Sequence, residues 1–302
     1  MPDPAIETLG LEKKFPNGVT AIAELDLRVE QGEVFGYLGP NGAGKSTTIR
    51  LLLDLIRPTA GRILVLGRDS RRAGIEARRR MGYVPGDLRL SDRLTAREQL
   101  DSLARLRGGV NDALRERLCE RFGVVLDRPI RHLSKGNRQK VGLVQAFMHR
   151  PDLVVLDEPS SGLDPLLQAE LRSLVRETAA EGRTVFLSSH SLDEVQHVAD
   201  RVGIIRASRL AHVDSVERLR ERALRHITIV FAEAVDSTRF ATLDGVRVEN
   251  ADGRVLHLSA PEPAMDAVVK EAAAHPVVDL VSQPADLEEI FLDLYEESPN
   301  GR

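Results

Sequence analysis

Apolar and polar positions along this chain change rhythm three times. The first stretch alternates: Ile6 to Leu11 and Ala23 to Val29 read as strands around a turn at Pro16-Asn17-Gly18, a small antiparallel β layer. Short continuous apolar runs follow, at Val34-Phe35-Gly36-Tyr37-Leu38, Leu153-Val154-Val155-Leu156 and Thr184-Val185-Phe186-Leu187. Runs of that length without alternation fit strands buried on both faces of a parallel sheet. Arg62 to Leu66 and Met81 to Pro85 add two more short strands. From Gly86 to about Arg150 the period is helical: Thr95-Ala96-Arg97-Glu98 has the capping-box form, and Leu100, Leu103 and Leu106 follow at helical spacing. The pattern predicts an α/β core with a helical subdomain, about 86–150, set between its strands. Beyond Arg220 alternation returns. Ile227, Ile229 and Phe231, then Gly245 to Val248, Arg254 to Ser259 and Val277 to Val281, read as half-buried strands. Met265, Val268, Val269 and Ala272 fit one helix face, and Leu287, Ile290, Phe291 and Leu294 a last helix capped by Asp286. The division expected is a domain over 1–220 and a small α+β domain over 222–302, the latter without a motif that carries chemistry.

Composition narrows the class. At 302 residues and 42% hydrophobic the chain can bury a core and form two domains. A net charge of −4 provides no electrostatic case for binding nucleic acid or an anionic membrane. No apolar run approaches the ~20 residues that span a bilayer, so membrane contact is expected only through a partner. Met1-Pro2-Asp3-Pro4 has no basic segment leading into an apolar one, so no secretory signal is expected. Cys119 is the single cysteine, and no Cys/His cluster has zinc spacing, which fits a reducing cytosol. Six arginines between Arg68 and Arg80 read as a solvated helix face in preference to a polyanion site.

Chemistry concentrates where the buried runs stop. Gly39-Pro40-Asn41-Gly42-Ala43-Gly44-Lys45-Ser46 follows one apolar run and precedes a helical pattern from Thr47, so it reads strand, glycine-rich turn, helix. Glycines let successive N–H groups surround phosphate oxygens, and the helix adds free N–H groups and a positive dipole end. Lys45 would reach the β- and γ-phosphates of a nucleotide, and Ser46 would offer its hydroxyl to Mg²⁺. Asp157 and Glu158 end the second run. Successive strand residues point to opposite sides, so Asp157 can face Ser46 and the metal's water shell while Glu158 faces an attacking water. Solvated turn acids are the plainer reading of that pair. His190, ending the third run before a Ser191-x-x-Glu194 capping box, could bond the γ-phosphate, orient the water, or simply enter a helix. Phe15, before the first turn, is a candidate to stack on adenine or a core aromatic.

The order and spacing of this phosphate loop, Leu133-Ser134-Lys135-Gly136-Asn137, Leu153 to Glu158, Ser161-Gly162-Leu163-Asp164 and His190 resemble the Walker A, signature, Walker B, D-loop and switch-histidine motifs of ABC ATPases. The resemblance implies a P-loop NTPase core over roughly residues 5–215, ATP and Mg²⁺ as ligands, and two chains clamping two nucleotides head to tail. It implies that Ser134, Lys135, Gly136 and Asn137 meet the ATP of the other subunit through a hydroxyl, backbone N–H groups and a helix starting near Arg138. It also implies that Asp164 reaches across that interface and that Phe15 stacks on adenine. Two positions depart from the common pattern: Lys135 and Asn137 replace a glycine and a glutamine, and Gly86, followed by Asp87, stands where the Q-loop glutamine is usual. Asp87 is the candidate substitute. Together with the small C-terminal domain, these variants are similar to ATP-binding subunits of type-2 ABC exporters of the daunorubicin-resistance kind. That likeness implies a cytoplasmic ATPase, as a homodimer or paralogous heterodimer, peripheral on the membrane against a separate permease docked near Leu88 to Arg97. Its cargo would be a drug, lipid or polysaccharide. The rival classes are a soluble ABC protein of translation or DNA repair, whose usual tandem units, coiled coils and zinc modules are missing here, and a drug-sequestering protein.

Overall fold

A computed structural model describes residues 3–222 and 224–283. The chain divides into two compact units, Met1–Val213 and Asp214–Arg302.

The first unit holds two sheets. One is antiparallel, in the order Thr20–Val29, Ile6–Lys14, Ala60–Val65, Arg68–Asp69. The other runs Arg209–Ser215, Arg201–Arg206, Val34–Leu38, Thr184–Ser189, Leu153–Asp157, Met81–Val84. Its neighbours from Arg201–Arg206 through Met81–Val84 pair in parallel. The runs Val34–Leu38, Leu153–Asp157 and Thr184–Ser189 are buried throughout, which explains their unbroken apolar character. Between the sheets lies one core: Ile6, Leu27, Ile63 and Val65 meet Phe35, Tyr37, Val155, Phe186 and Ile205. Phe35 stacks on Phe186 with ring centroids 5.9 Å apart.

Helices Ala96–Leu106, Asp112–Phe122 and Lys135–Phe147 form the insertion between Met81–Val84 and Leu153–Asp157. The capping box at Thr95 and Glu98 is formed. The one at Ser191 is not: Glu194 Oε2 accepts from the Ser189 hydroxyl at 2.7 Å, and no side chain caps Leu192–Gln196. The six arginines of the 68–80 stretch are all exposed, with Arg68, Arg78 and Arg80 paired to Glu76, Asp54 and Asp152. Helix Pro165–Ala180 and the strands Arg201–Arg206 and Arg209–Ser215 had no reading from the residue pattern. The helix is amphipathic, and the inner of these two strands joins the sheet beside Val34–Leu38.

The second unit is a four-stranded antiparallel sheet in the order Arg247–Asp252, Val255–Pro261, Leu224–Phe231, Val277–Gln283, with helices Thr238–Ala241 and Met265–Ala273. Ile227, Ile229 and Phe231 share its core with Phe240, Leu256, Leu258, Val268 and Ala272. Val269 leaves that face and is exposed, and Gly245 lies in a turn at φ +73° ahead of its strand. The helix expected over Leu287, Ile290, Phe291 and Leu294 lies outside the described residues.

Candidate functional site

Parallel pairing brings the carboxyl ends of four strands to one edge. Leu38 pairs with Ser189, Asp157 with Ser188, and Val84 with Leu156, so the segments that follow emerge level with one another. Gly39 to Gly44 emerge first. An added Cβ on Gly39 would stand 2.4 Å from Ile205 O, and Gly44 has φ +115° with a Cβ position 2.6 Å from Ala21 O. Side chains are excluded at both points, and the backbone turns directly into helix Lys45–Leu52, whose first N–H groups take no side-chain cap. Gly39, Ala43 and Lys45 are buried, while Pro40, Asn41 and Gly42 form the exposed tip. Ser46 and Thr47 are half-buried in the first turn. Lys45 Nζ donates to Gly39 O at 2.6 Å and lies 3.3 Å from Glu158 Oε1, an oxygen that is buried and accepts no hydrogen bond.

Glu158 is the point where three motifs meet. Its other carboxylate oxygen, Oε2, lies 2.7 Å from Nδ1 of His190, whose side chain is 62% exposed. The residue is not part of a strand: Leu153–Asp157 ends one position earlier, and Glu158 takes φ +50°. A left-handed residue at a strand end, not strand alternation, therefore aims its carboxylate. Asp157 is 4% exposed and accepts from the Ser188 hydroxyl at 2.6 Å. Charge from Asp157, after burial itself, pushes the Tyr83 phenol up to about 12.

The neighbourhood of Asp157 belongs to Gly86. A Cβ there would lie 3.4 Å from Asp157 O and 3.5 Å from Oδ2. Asp87, the expected substitute, is 74% exposed with its carboxylate held by Arg89 Nε and Nη2 at 3.0 and 2.9 Å. Gly86 and Asp87 lie in a bend just past the strand Met81–Val84, and that bend leaves Asp87 in solvent.

The 134–137 segment is a helix start, about one turn earlier than the resemblance implies: Ser134 caps Lys135–Phe147 by accepting from Asn137 N at 3.2 Å. Three contacts tie this start to the segment after Glu158. Lys135 Nζ donates to Ser161 Oγ at 2.8 Å, Gln139 Nε2 to Pro159 O at 3.0 Å, and Gly136 packs so closely that a Cβ would stand 2.5 Å from Gly162 O. Gln139 and Ser188 are structural partners that no motif identified. Asp164 caps Pro165–Ala180, accepting from Leu167 N at 3.0 Å. Phe15 is half-buried after the strand Ile6–Lys14, with Lys13 Nζ 5.1 Å from its ring centroid, so it is a surface ring and not part of the core.

This constellation can hold a polyphosphate on backbone N–H groups and Lys45, and a carboxylate beside it can take a proton. Among the described residues no helix is long and apolar enough to cross a membrane. Residues 22–161 match the ABC transporter family model. The chain is 35% identical to the daunorubicin resistance ATP-binding protein DrrA3 of Streptomyces coeruleorubidus, across 97% of this chain and 96% of that protein. The solved structure of an ATP-binding subunit of an ABC transporter superimposes with a TM-score of 0.66 at 31% identity, over 72% of this chain and 92% of that one. A dimeric bacterial ABC transporter cassette shares the fold at 20% identity, with a TM-score of 0.65 over 70% of this chain and 98% of its own. The chain belongs to the ABC transporter family, as an ATP-binding subunit that hydrolyses ATP to energise transport.

Proposed function

We propose that this subunit drives export of a drug-like molecule through a separate permease, from the cytoplasmic face of the membrane. The full-length likeness to a daunorubicin resistance protein supports the cargo class. Residues 1–220 would form the nucleotide-binding domain and 222–302 an accessory domain.

Lys45 and the first N–H groups of its helix would hold the β- and γ-phosphates, with Phe15 stacked on adenine. Mg²⁺ would be held by the Ser46 hydroxyl and, through water, by Asp157, a pair of hard oxygen donors suited to that ion. When bound, it supplies positive charge to the β- and γ-phosphate oxygens. Glu158 orients the attacking water and takes its proton. His190 keeps the Glu158 carboxylate turned toward that water by holding Oε2. Ser134 and Gly136 would bind the ATP of a second subunit, with Lys135 and Asn137 flanking them and Asp164 at the same interface. Whether that subunit is identical or a paralogue is decided by which copurifies with the permease.

The observation that carries this reading is the Glu158 carboxylate between Lys45 Nζ at 3.3 Å and His190 Nδ1 at 2.7 Å. It joins the phosphate loop, the acid pair and the histidine in one place. Glu158→Gln removes the base and keeps the shape. That variant is expected to bind ATP, accumulate as a dimer by light scattering, and lose turnover by roughly 10²–10⁴-fold. Wild-type turnover in Glu158→Gln removes the base assignment.

A further inference from the structure

Ser188 lies fully buried near the end of Thr184–Ser189, two residues before His190. It faces Asp157 directly in the parallel register. Its hydroxyl donates to Asp157 Oδ1 at 2.6 Å, a length typical of a bond to a charged acceptor. The same hydroxyl oxygen receives the Glu158 N–H at 3.3 Å, and the Ser188 carbonyl receives it at 3.1 Å. One buried residue thus grips both acids, the first by its side chain and the second by its backbone.

The grip is selective. An aspartate carboxylate rotates in a broad, soft well, so without a fixed partner its two oxygens sample many directions. Among the described residues Ser188 is the only side chain hydrogen-bonded to Asp157. With Oδ1 committed, Oδ2 is the oxygen turned toward Gly86, where the missing side chain leaves room: even a Cβ there would make only ordinary contact. The Glu158 N–H is held at the left-handed residue whose turn sends its carboxylate to Lys45 and His190.

We propose that Ser188 is a positioning residue: its hydroxyl locks Asp157 so that Oδ2 alone faces the magnesium–nucleotide site, and it anchors the turn that aims Glu158. The proposal deepens the reading of Asp157 as the metal-side acid and rests on it.

The test compares Ser188→Ala, Ser188→Thr and Asp157→Asn in the full chain, using a fluorescent ATP analogue titrated in EDTA and again in Mg²⁺. Hydrogen bonds to charged groups are worth enough that losing one should cost roughly tenfold. Ser188→Ala is expected to bind nucleotide in EDTA within about twofold of wild type, and to lose about tenfold of the affinity that Mg²⁺ adds. The Mg²⁺ concentration that half-saturates turnover should rise by about the same factor, while Ser188→Thr keeps the Mg²⁺ increment because it keeps the hydroxyl. Should Ser188→Ala not fold, Ser188→Val against Ser188→Thr makes the same comparison at equal volume. An unchanged Mg²⁺ increment in the variant without hydroxyl overturns the proposal, provided Asp157→Asn loses that increment. If Asp157→Asn also keeps it, the metal-side reading of Asp157 falls first and takes the Ser188 proposal with it.

Discussion

Gly136→Ala tests whether the start of helix Lys135–Phe147 and the segment after Glu158 move as one body. An added Cβ would stand 2.5 Å from Gly162 O. Ordinary carbon–oxygen contact begins near 3.3 Å, so about 0.8 Å has to be found. The obstacle is a backbone carbonyl and cannot swing aside. The flanks are also pinned, by Lys135 on Ser161 and by Gln139 on Pro159. Overpacking of this kind costs about 1–3 kcal/mol, and the better helix propensity of alanine returns up to about 1. A net loss of about 1–2 kcal/mol lowers the melting temperature of a domain this size by roughly 2–8 °C. The shift would also displace Ser134 and the N–H of residue 136 from the positions proposed for them against the ATP of a second subunit, so turnover should fall at least about tenfold at saturating ATP. Differential scanning calorimetry and a coupled ATPase assay read the two effects. A Gly136→Ala protein that melts at or above wild type with unchanged turnover would refute the rigid coupling.

Gly86→Ala is expected to melt within about 2 °C of wild type, because its Cβ meets Asp157 only at ordinary contact distance. A fall beyond about 5 °C would show that residue 86 is sterically closed, and tolerance would license Gly86→Gln as a way to bring an amide to Asp157. His149 is half-buried with Nε2 at 3.1 Å from Met81 O, and burial together with the nearby Arg107 charge pulls its pKa down to about 4. Since the folded value lies below the ordinary 6.5, the neutral ring contributes stability above pH 6.5 that is lost as pH falls toward 4. Discounted for partial exposure, the loss is roughly 2 kcal/mol. Urea midpoints at pH 7 and pH 4.5 should lie closer together in His149→Gln than in the wild type, and identical pH dependence in the two proteins excludes the histidine as the cause.

What could be read along the chain was whatever is local. Buried parallel strands announce themselves as unbroken apolar runs, and the phosphate loop as glycines between such a run and a helix. The capping box at Thr95 needed only a four-residue window, although an identical pattern at Ser191 failed because Ser189 captured Glu194 first. The strand Arg201–Arg206 had no reading from the residue pattern although Val202, Ile204 and Ile205 are buried; its place in the sheet comes from pairing with Val34–Leu38.

Direction and partnership were settled only by the tertiary structure. Asp157 and Glu158 are adjacent letters, yet the left-handed turn at Glu158 decides that one carboxylate meets Ser188 and the other bridges Lys45 and His190. Gly86 and Asp87 are equally adjacent, and the chain's course assigns the place beside Asp157 to the residue with no side chain. Ser188 and Gln139 belong to no motif, and become visible only when strands and helices distant in the sequence are packed side by side. Residue type prescribes which chemistry is available, because acidity, hydroxyls and backbone freedom are properties of single residues. Which group faces which depends on dihedral angles and on register between distant strands, and those arise from the packing of the whole unit.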